Sequence, residues 1–401
     1  MTDRPTTIVC MSSFLKGHEF IRECKRLGCR VLLITVEKLR EEDWPRESID
    51  EMLYMPDLYG RDDVLHGISW LARTERIDRL VPLDEFDLEM ASAIREHLRL
   101  PGMGETTVRH YRDKLAMRMR AREAGILVPE FVPILHHDPI RRFLETVPAP
   151  WVLKPRFSAS AIGIHKLSDA DQVWRTIEEL GDKRSFHLLE RFVPGSVYHV
   201  DSLAWNREIV FSEANGYYQP PFEVYHGGGM FCTRTLLRDG DEARALEALD
   251  RQVLEAMGMV RGAMHTEFIR ADEDGRFYFL ETAARVGGAN IVEMVEAATG
   301  INLWREWARL EVADARGEQY APPRPRQDYS GLLVSLARQE WPDTSGFTDP
   351  EIVWRMKKRH HVGMIVASES PDRVAHLLDD YLRRVREDFQ ATLPPATSAL
   401  D

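Results

Sequence analysis

The stretch from His265 to Gly288, HTEFIRADEDGRFYFLETAARVGG, decides how the rest of the chain is read. Apolar residues alternate from Met264 to Arg270 and from Arg276 to Glu281, on either side of Asp272-Glu273-Asp274-Gly275. Period-two alternation puts every second side chain on one face, and the acidic run closed by glycine reads as a turn, so the stretch predicts a β-hairpin. Pairing Ala271 with Phe277 across a five-residue loop sets Glu267 directly opposite Glu281. Cross-strand neighbours lie roughly 5 Å apart, where two like charges repel unless something sits between them. A divalent cation fills that role, and Mg²⁺ prefers one or two carboxylates together with substrate phosphates. Arg285 and Gly287-Gly288 follow at once and lead into a helical pattern from Ala289 to Ala298. Carboxylates, a fixed cation and an amide-rich helix start thus fall close together, as phosphoryl chemistry requires. Taken alone, the pattern also fits an exposed hairpin with scattered acids, and the rest of the chain has to decide.

At 401 residues the chain is long enough for two or three domains with a substantial core. Its 44% hydrophobic and 29% charged residues mark an ordinary globular composition. A net charge of −12 without a basic block argues against a nucleic-acid partner. No apolar run approaches the roughly 18 residues of a membrane span, and Met1 to Arg4 does not begin a signal peptide. The four cysteines, Cys10, Cys24, Cys29 and Cys232, lack CxxC spacing and read as reduced, buried thiols. A cytoplasmic location is the expectation, and a homodimer is compatible with it.

Residues 6 to 99 alternate strand and helix and predict a small parallel α/β domain. Its first strand ends in Ser12-Ser13-Phe14-Leu15-Lys16-Gly17 instead of GxGxxG, so no nicotinamide cofactor is expected. Leu100-Pro101-Gly102 marks a boundary. Tyr111 to Ala124 then reads as a helix, with Lys114 near its start and Gly125 as its stop. Strand Trp151 to Pro155 ends on Lys154 and runs into the small-residue loop Arg156 to Gly163. The backbone N–H groups of such a loop can approach an anion closely, which makes Ser158, Ser160 and Gly163 candidates for a phosphate cradle; a plain hairpin linker is the alternative. His187 to Gly195 is an apolar strand carrying Glu190, Phe192 and Val193 and stopping at Pro194-Gly195, as an adenine slot requires. Asn215 to Thr235, rich in glycine and aromatics and carrying Arg234, suits a mobile substrate loop, with an ordinary excursion between strands as the alternative. The run GEQYAPPRPRQD ending at Asp328 is a linker. The strands and helix after it read as core packing, and Gln390 to Asp401 as a frayed tail.

In order, the chain offers Asp113-Lys114 on a helix, Lys154-Pro155 with a small-residue loop, Glu190-Arg-Phe-Val before a turn, Glu267, and Glu281-x-x-x-Arg285. This series resembles the ATP-grasp superfamily of ligases, and Glu281 to Gly288 is similar to its amino-acid-condensing members. The resemblance implies an α/β fold of three parts. These are an N-terminal Rossmann-like domain over 1–105, an ATP-grasp domain over 106–312 with ATP between subdomains 106–190 and 191–312, and a C-terminal portion over 313–401. It implies that Lys114 and Lys154 contact the phosphates and that Glu190 receives the adenine amino group. It further implies that the backbone of Phe192 and Val193 frames the ring, that Glu267 and Glu281 hold Mg²⁺ or Mn²⁺, and that Arg285 neutralises an acyl phosphate. Two positions depart from the family. Ala283 stands where many members have a metal-binding Asn, and Val197 where they have a ribose-binding Glu, for which Asp201 on the following strand is the candidate substitute. The expected activity is ATP-dependent joining of a carboxylate to an amine. Arg234, Arg285, Gly287 and Gly288 are expected on the substrate. A bicarbonate-activating carboxylase and a non-catalytic nucleotide-binding protein are the rival readings.

Overall fold

A computed structural model describes residues 4–158 and 162–392. Near the N terminus β1 (Thr7–Ser12), β2 (Arg30–Val36), β3 (Glu51–Met55) and β4 (Arg79–Pro82) form a parallel sheet in the order β3-β2-β1-β4. Ile8 and Cys10 pack with Phe20 and Ile21 of the helix His18–Arg26, while Val9 and Met11 pack with Val64, Ile68 and Ile94 of the helices Arg61–Leu71 and Leu88–Leu98. A strand covered on both faces has no reason to alternate, which is why β1 is an unbroken apolar run. The edge strand β3 and the helix after it carry a weaker pattern that the sequence does not declare.

A second sheet holds β5 (Phe131–Pro133), β6 (Trp151–Pro155), β7 (His165–Leu167) and β8 (His187–Arg191) in the antiparallel order β5-β8-β6-β7. Trp151, Leu153 and Leu189 face Ile140, Phe143, Val173 and Ile177 of two covering helices. Period two therefore turns Val152, Lys154 and Glu190 to the opposite face.

The third sheet has eight antiparallel strands: β9 (Gly195–Trp205), β10 (Glu208–Tyr217), β11 (Phe231–Thr235), β12 (Gly262–Ala271), β13 (Phe277–Ala283), β14 (Tyr329–Leu336), β15 (Ile352–Arg355) and β16 (His361–Ser368). Their order is β13-β12-β9-β10-β11-β14-β16-β15, so the sheet continues across residue 313 through the β11–β14 pairing. The helix Leu303–Arg316 packs this sheet against the helix His18–Arg26 of the parallel sheet. Trp307 meets Phe20 edge-on at 5.4 Å, and Arg309 donates to the buried Glu23 at 2.6 Å.

The β12–β13 hairpin forms and Glu267 pairs with Glu281, but by a different register from the expected one. Arg270, not Ala271, opposes Phe277, and a bulge between Glu267 and Phe268 leaves Leu280 as the extra residue on β13. The longer turn and the bulge cancel, restoring the carboxylate pair. The helix that follows spans Ile291–Thr299 instead of starting at Ala289, because Ala289 and Asn290 hold left-handed backbone (φ 50° and 66°). Among the described residues no helix is long and apolar enough to cross a membrane.

Candidate active site

A cavity of about 920 Å³ lies where the three sheets meet, within the range of small-molecule sites. Of the candidate residues, Lys114, Lys154, Ser158, Glu190, Phe192, Val193, Glu267, Glu281, Arg285 and Gly288 line it.

At one end Lys154 Nζ and Arg118 Nε each lie 2.5 Å from Glu190, on opposite carboxylate oxygens. Glu190 opposes Val152 in the β6–β8 ladder, so Lys154, two residues on, is its diagonal neighbour on the cavity face. Burial pushes the Lys154 ammonium down to about 8, against the pull of Glu190. For Glu190 burial raises the carboxyl, but Arg118 and Lys154 outweigh it and hold it below its ordinary value. Arg118 has no exposed surface, and it also donates to the carbonyl of Leu280, the bulged residue. This arginine carries no signal in the sequence: it sits one turn after Lys114 on an ordinary-looking basic helix. Phe192 enters the cavity by its ring, with Lys166 Nζ 3.6 Å from the ring centroid and Phe222 at 6.3 Å; its N–H donates to Pro150 O at 3.0 Å. Val152, Ile164 and Val193 complete an apolar slot.

In the middle, Lys114 Nζ lies 2.5 Å from Glu281 Oε2 and donates to Ser158 O at 2.7 Å. Its helix starts there because the Asp113 side chain accepts the Leu115 N–H at 3.0 Å. Asp113 also grips Arg156, tying the helix start to the small-residue loop. Burial raises the Glu281 carboxyl, yet Lys114, with Lys154 and Arg118 behind it, holds it well below the usual carboxylate range. Gly163 stands at the turn closing the loop (φ 72°), where a Cβ would meet Pro155 at 3.0 Å. Ser160 lies outside the described residues.

At the far end Glu267 Oε1 accepts the Tyr217 hydroxyl at 2.9 Å, with His265 Nε2 at 3.6 Å. His265 Nδ1 lies 2.9 Å from Asp201 Oδ1, and His199 Nδ1 lies 2.7 Å from Oδ2. Burial lowers His265, but Asp201 and Glu267 overcome it and lift the imidazole to about 10. His199, Asp201 and His265 bring ligand atoms within 4.8 Å of one another. Their mutual contacts are hydrogen-bond lengths, and we read them as a brace for Glu267 instead of a metal centre. Arg285 lines the cavity and is held by Glu85, from the loop after β4.

The geometry corrects three expectations. Asp201 is fully buried and spent on His199, His265 and Asn215, so it cannot reach a ribose. Arg234 is on the wrong face. Thr233 beside it bonds His199 on the cavity side, and alternation turns Arg234 outward, 5.6 Å from the Tyr218 ring. Gly287 is a packing glycine, since a Cβ there would lie 2.6 Å from Asp201 Oδ1. Gly288 and Ala289 meet the cavity instead.

The donor set fits Mg²⁺. Two carboxylates on paired strands face one cavity, and Glu267 and Glu281 would hold an ion that takes one or two carboxylates together with phosphate oxygens. Ala283, opposite His265 in the ladder, supplies no third side-chain oxygen.

No family model matches the chain. It is 25% identical over 242 residues to an L-arginine-specific L-amino acid ligase of Bacillus subtilis, covering 59% of this chain and 58% of that protein. The match spans less than two thirds of the length of that relative, and likewise of an alanine–anticapsin ligase of Bacillus subtilis, of which it covers 55% at 22% identity. An L-amino acid ligase from Bacillus licheniformis superposes with a TM-score of 0.75 at 17% identity, over 97% of this chain and 99% of that one. An N5-carboxyaminoimidazole synthetase from Staphylococcus aureus, solved with ADP, superposes with a TM-score of 0.71 at 14% identity, over 94% and 97%. At these identities the structural likeness establishes the fold.

Proposed function

We propose that this chain, an ATP-grasp protein by its fold, is an ATP-dependent carboxylate–amine ligase acting on amino-acid-like substrates. One observation carries the reading: Lys114, Lys154, Glu267, Glu281 and Arg285 line a single cavity. In this reading the adenine lies in the slot of Val152, Ile164, Phe192 and Val193, and Lys114 and Lys154 meet the phosphates. Glu267 and Glu281 would hold Mg²⁺, which when bound neutralises charge on the phosphate oxygens. A substrate carboxylate oxygen bonds to the γ-phosphorus of ATP as the bond to the bridging oxygen breaks, giving an acyl phosphate and ADP. The amine then bonds to the acyl carbon, the carbon–oxygen bond to phosphate breaks, and the amine's proton leaves with phosphate or solvent. Such chemistry asks the protein for position and charge neutralisation and needs no covalent nucleophile.

The test is to incubate the protein with MgATP and the proteinogenic amino acids in pairs, measuring ADP, phosphate and dipeptide. Release of all three that requires both partners supports the reading. Release that requires bicarbonate alone would move the chain to the carboxylases. Nucleotide binding without turnover for any pair would make it a binding protein.

A further inference from the structure

Arg285 is placed by a residue of another domain. Glu85 lies 200 positions away in the loop after β4, at the C-terminal end of the parallel sheet. The sheet order β3-β2-β1-β4 makes the β1/β4 edge a switch point, where α/β sheets open their ligand crevices. Glu85 Oε2 accepts Arg285 Nε at 2.8 Å and Nη2 at 2.6 Å, and Val286 O accepts Nη1 at 2.8 Å. Arginine carries five N–H groups in a rigid planar fork. The three contacts use three of them, leaving one N–H on each terminal nitrogen to meet a ligand in the cavity. Both residues line the cavity, Glu85 with only 7% of its surface exposed. On its other side, Glu85 Oε1 lies 3.9 Å from Arg112 Nη1, and Arg112 Nη2 donates to Phe157 O in the small-residue loop at 3.1 Å.

We propose that Glu85 is the positioning residue for Arg285: it fixes the guanidinium edge-on, so that its two terminal N–H groups face the transferred phosphoryl group. The inference rests on the ligase reading. A carboxylate that only balanced charge would do so from either oxygen and any angle. In this pair one oxygen receives both side-on donors, which sets the plane of the fork as well as its charge. Without Glu85 the arginine would keep its charge and lose its aim.

The test is a double-mutant cycle on the full chain, using Glu85→Ala, Arg285→Ala and the double variant, with the amino-acid pair that gives the greatest ADP release. Glu85→Ala should lower kcat about 10- to 100-fold and change the KM for ATP less than threefold. Glu85→Gln, which keeps one acceptor oxygen, should fall between Glu85→Ala and wild type. In the Arg285→Ala background Glu85→Ala should cost less than threefold. Retention of ADP in the presence of Mg²⁺ and aluminium fluoride, a planar phosphoryl mimic, should follow the same pattern and remains readable when turnover is too slow. Equal losses in both backgrounds, or a raised KM for ATP with kcat intact, would overturn the proposal. No turnover of the wild-type protein with any pair, alongside normal aluminium fluoride coupling, would instead count against the ligase reading and leave the positioning role standing.

Discussion

Glu267 and Glu281 stand opposite each other across a hairpin whose turn is one residue longer than its sequence pattern implies, because the bulge at Leu280 absorbs the difference. The bulge also re-aims a carbonyl. Leu280 O accepts from Arg118, which in turn holds Glu190 at the other end of the cavity. One local irregularity thus sets the pairing of the carboxylates and links them to the apolar slot.

Glu281→Gln should abolish turnover and also destabilise the metal-free protein slightly. Like-charge repulsion from Glu267 would by itself make the change neutral or favourable. Lys114, at 2.5 Å from Glu281, reverses that sign, since the amide forfeits a charge-assisted contact. The Glu281 side chain is 34% exposed, so solvent screens the loss, and about 1 kcal/mol is expected. Chemical denaturation of the two proteins without Mg²⁺ measures it; a more stable variant would show that repulsion wins.

Lys154 should make ATP affinity depend on pH. In the free protein its ammonium titrates at about 8, because burial favours the neutral amine. Polyphosphate prefers the charged form, so binding draws a proton onto Lys154 above that value. The Kd for MgATP should then weaken by up to about tenfold per pH unit from pH 8 upward, until the bound-state pKa is reached. Stability has its own sign. An unfolded lysine titrates at about 10.4, so the unfolded chain binds more protons between roughly pH 8 and 10, and this residue's contribution rises with pH in that window. Lys154→Arg should flatten the affinity profile; an unchanged profile would assign it to another group.

Arg118→Met should cost about 3–5 kcal/mol, the range for breaking a fully buried ion pair from one side. Lys154 alone would then face a Glu190 that has almost no contact with solvent, and Leu280 O would lose its donor. Urea unfolding monitored by tryptophan fluorescence gives the number. A cost below about 1 kcal/mol would mean that water replaces the guanidinium.

How far the site could be read from the sequence follows from how local each signal is. Lys154 and Glu281 stand beside patterns that announce them, a small-residue loop and a hairpin with a helix start. Glu85 and Arg118 do not, because each works on a partner far along the chain: Arg285 at 200 positions and Glu190 at 72. The β1 and β2 runs are legible because burial on both faces leaves them uniformly apolar. The register of β12 on β13 is legible only in its consequence, since nothing in LETAA marks Leu280 as the residue that bulges. Arg234 shows the opposite failure. Its neighbours suit a substrate loop, but strand parity, which depends on where β11 begins, turns it away.

The mechanism is tested most directly through its intermediate. If the carboxylate is activated as an acyl phosphate, hydroxylamine should replace the amine and yield a hydroxamate together with ADP and phosphate. Activation as an adenylate would also give a hydroxamate, but with AMP and pyrophosphate. The placement of charge favours the first outcome. Glu190 and Lys154 border the apolar slot, Glu281 stands in the middle of the cavity on Lys114, and Glu267 and Arg285 lie at the far end, so in the proposed reading, with the base in that slot, the γ-phosphoryl group falls among Glu267, Glu281 and Arg285. Arg285→Lys keeps the charge but loses the planar fork that Glu85 holds. It should therefore slow hydroxamate formation about 10- to 100-fold, the loss typical of one preorganised donor group, and leave the Kd for MgATP within about threefold. Product analysis by ion-exchange chromatography separates ADP from AMP, and AMP would sink the acyl-phosphate step whatever the rate of the variant.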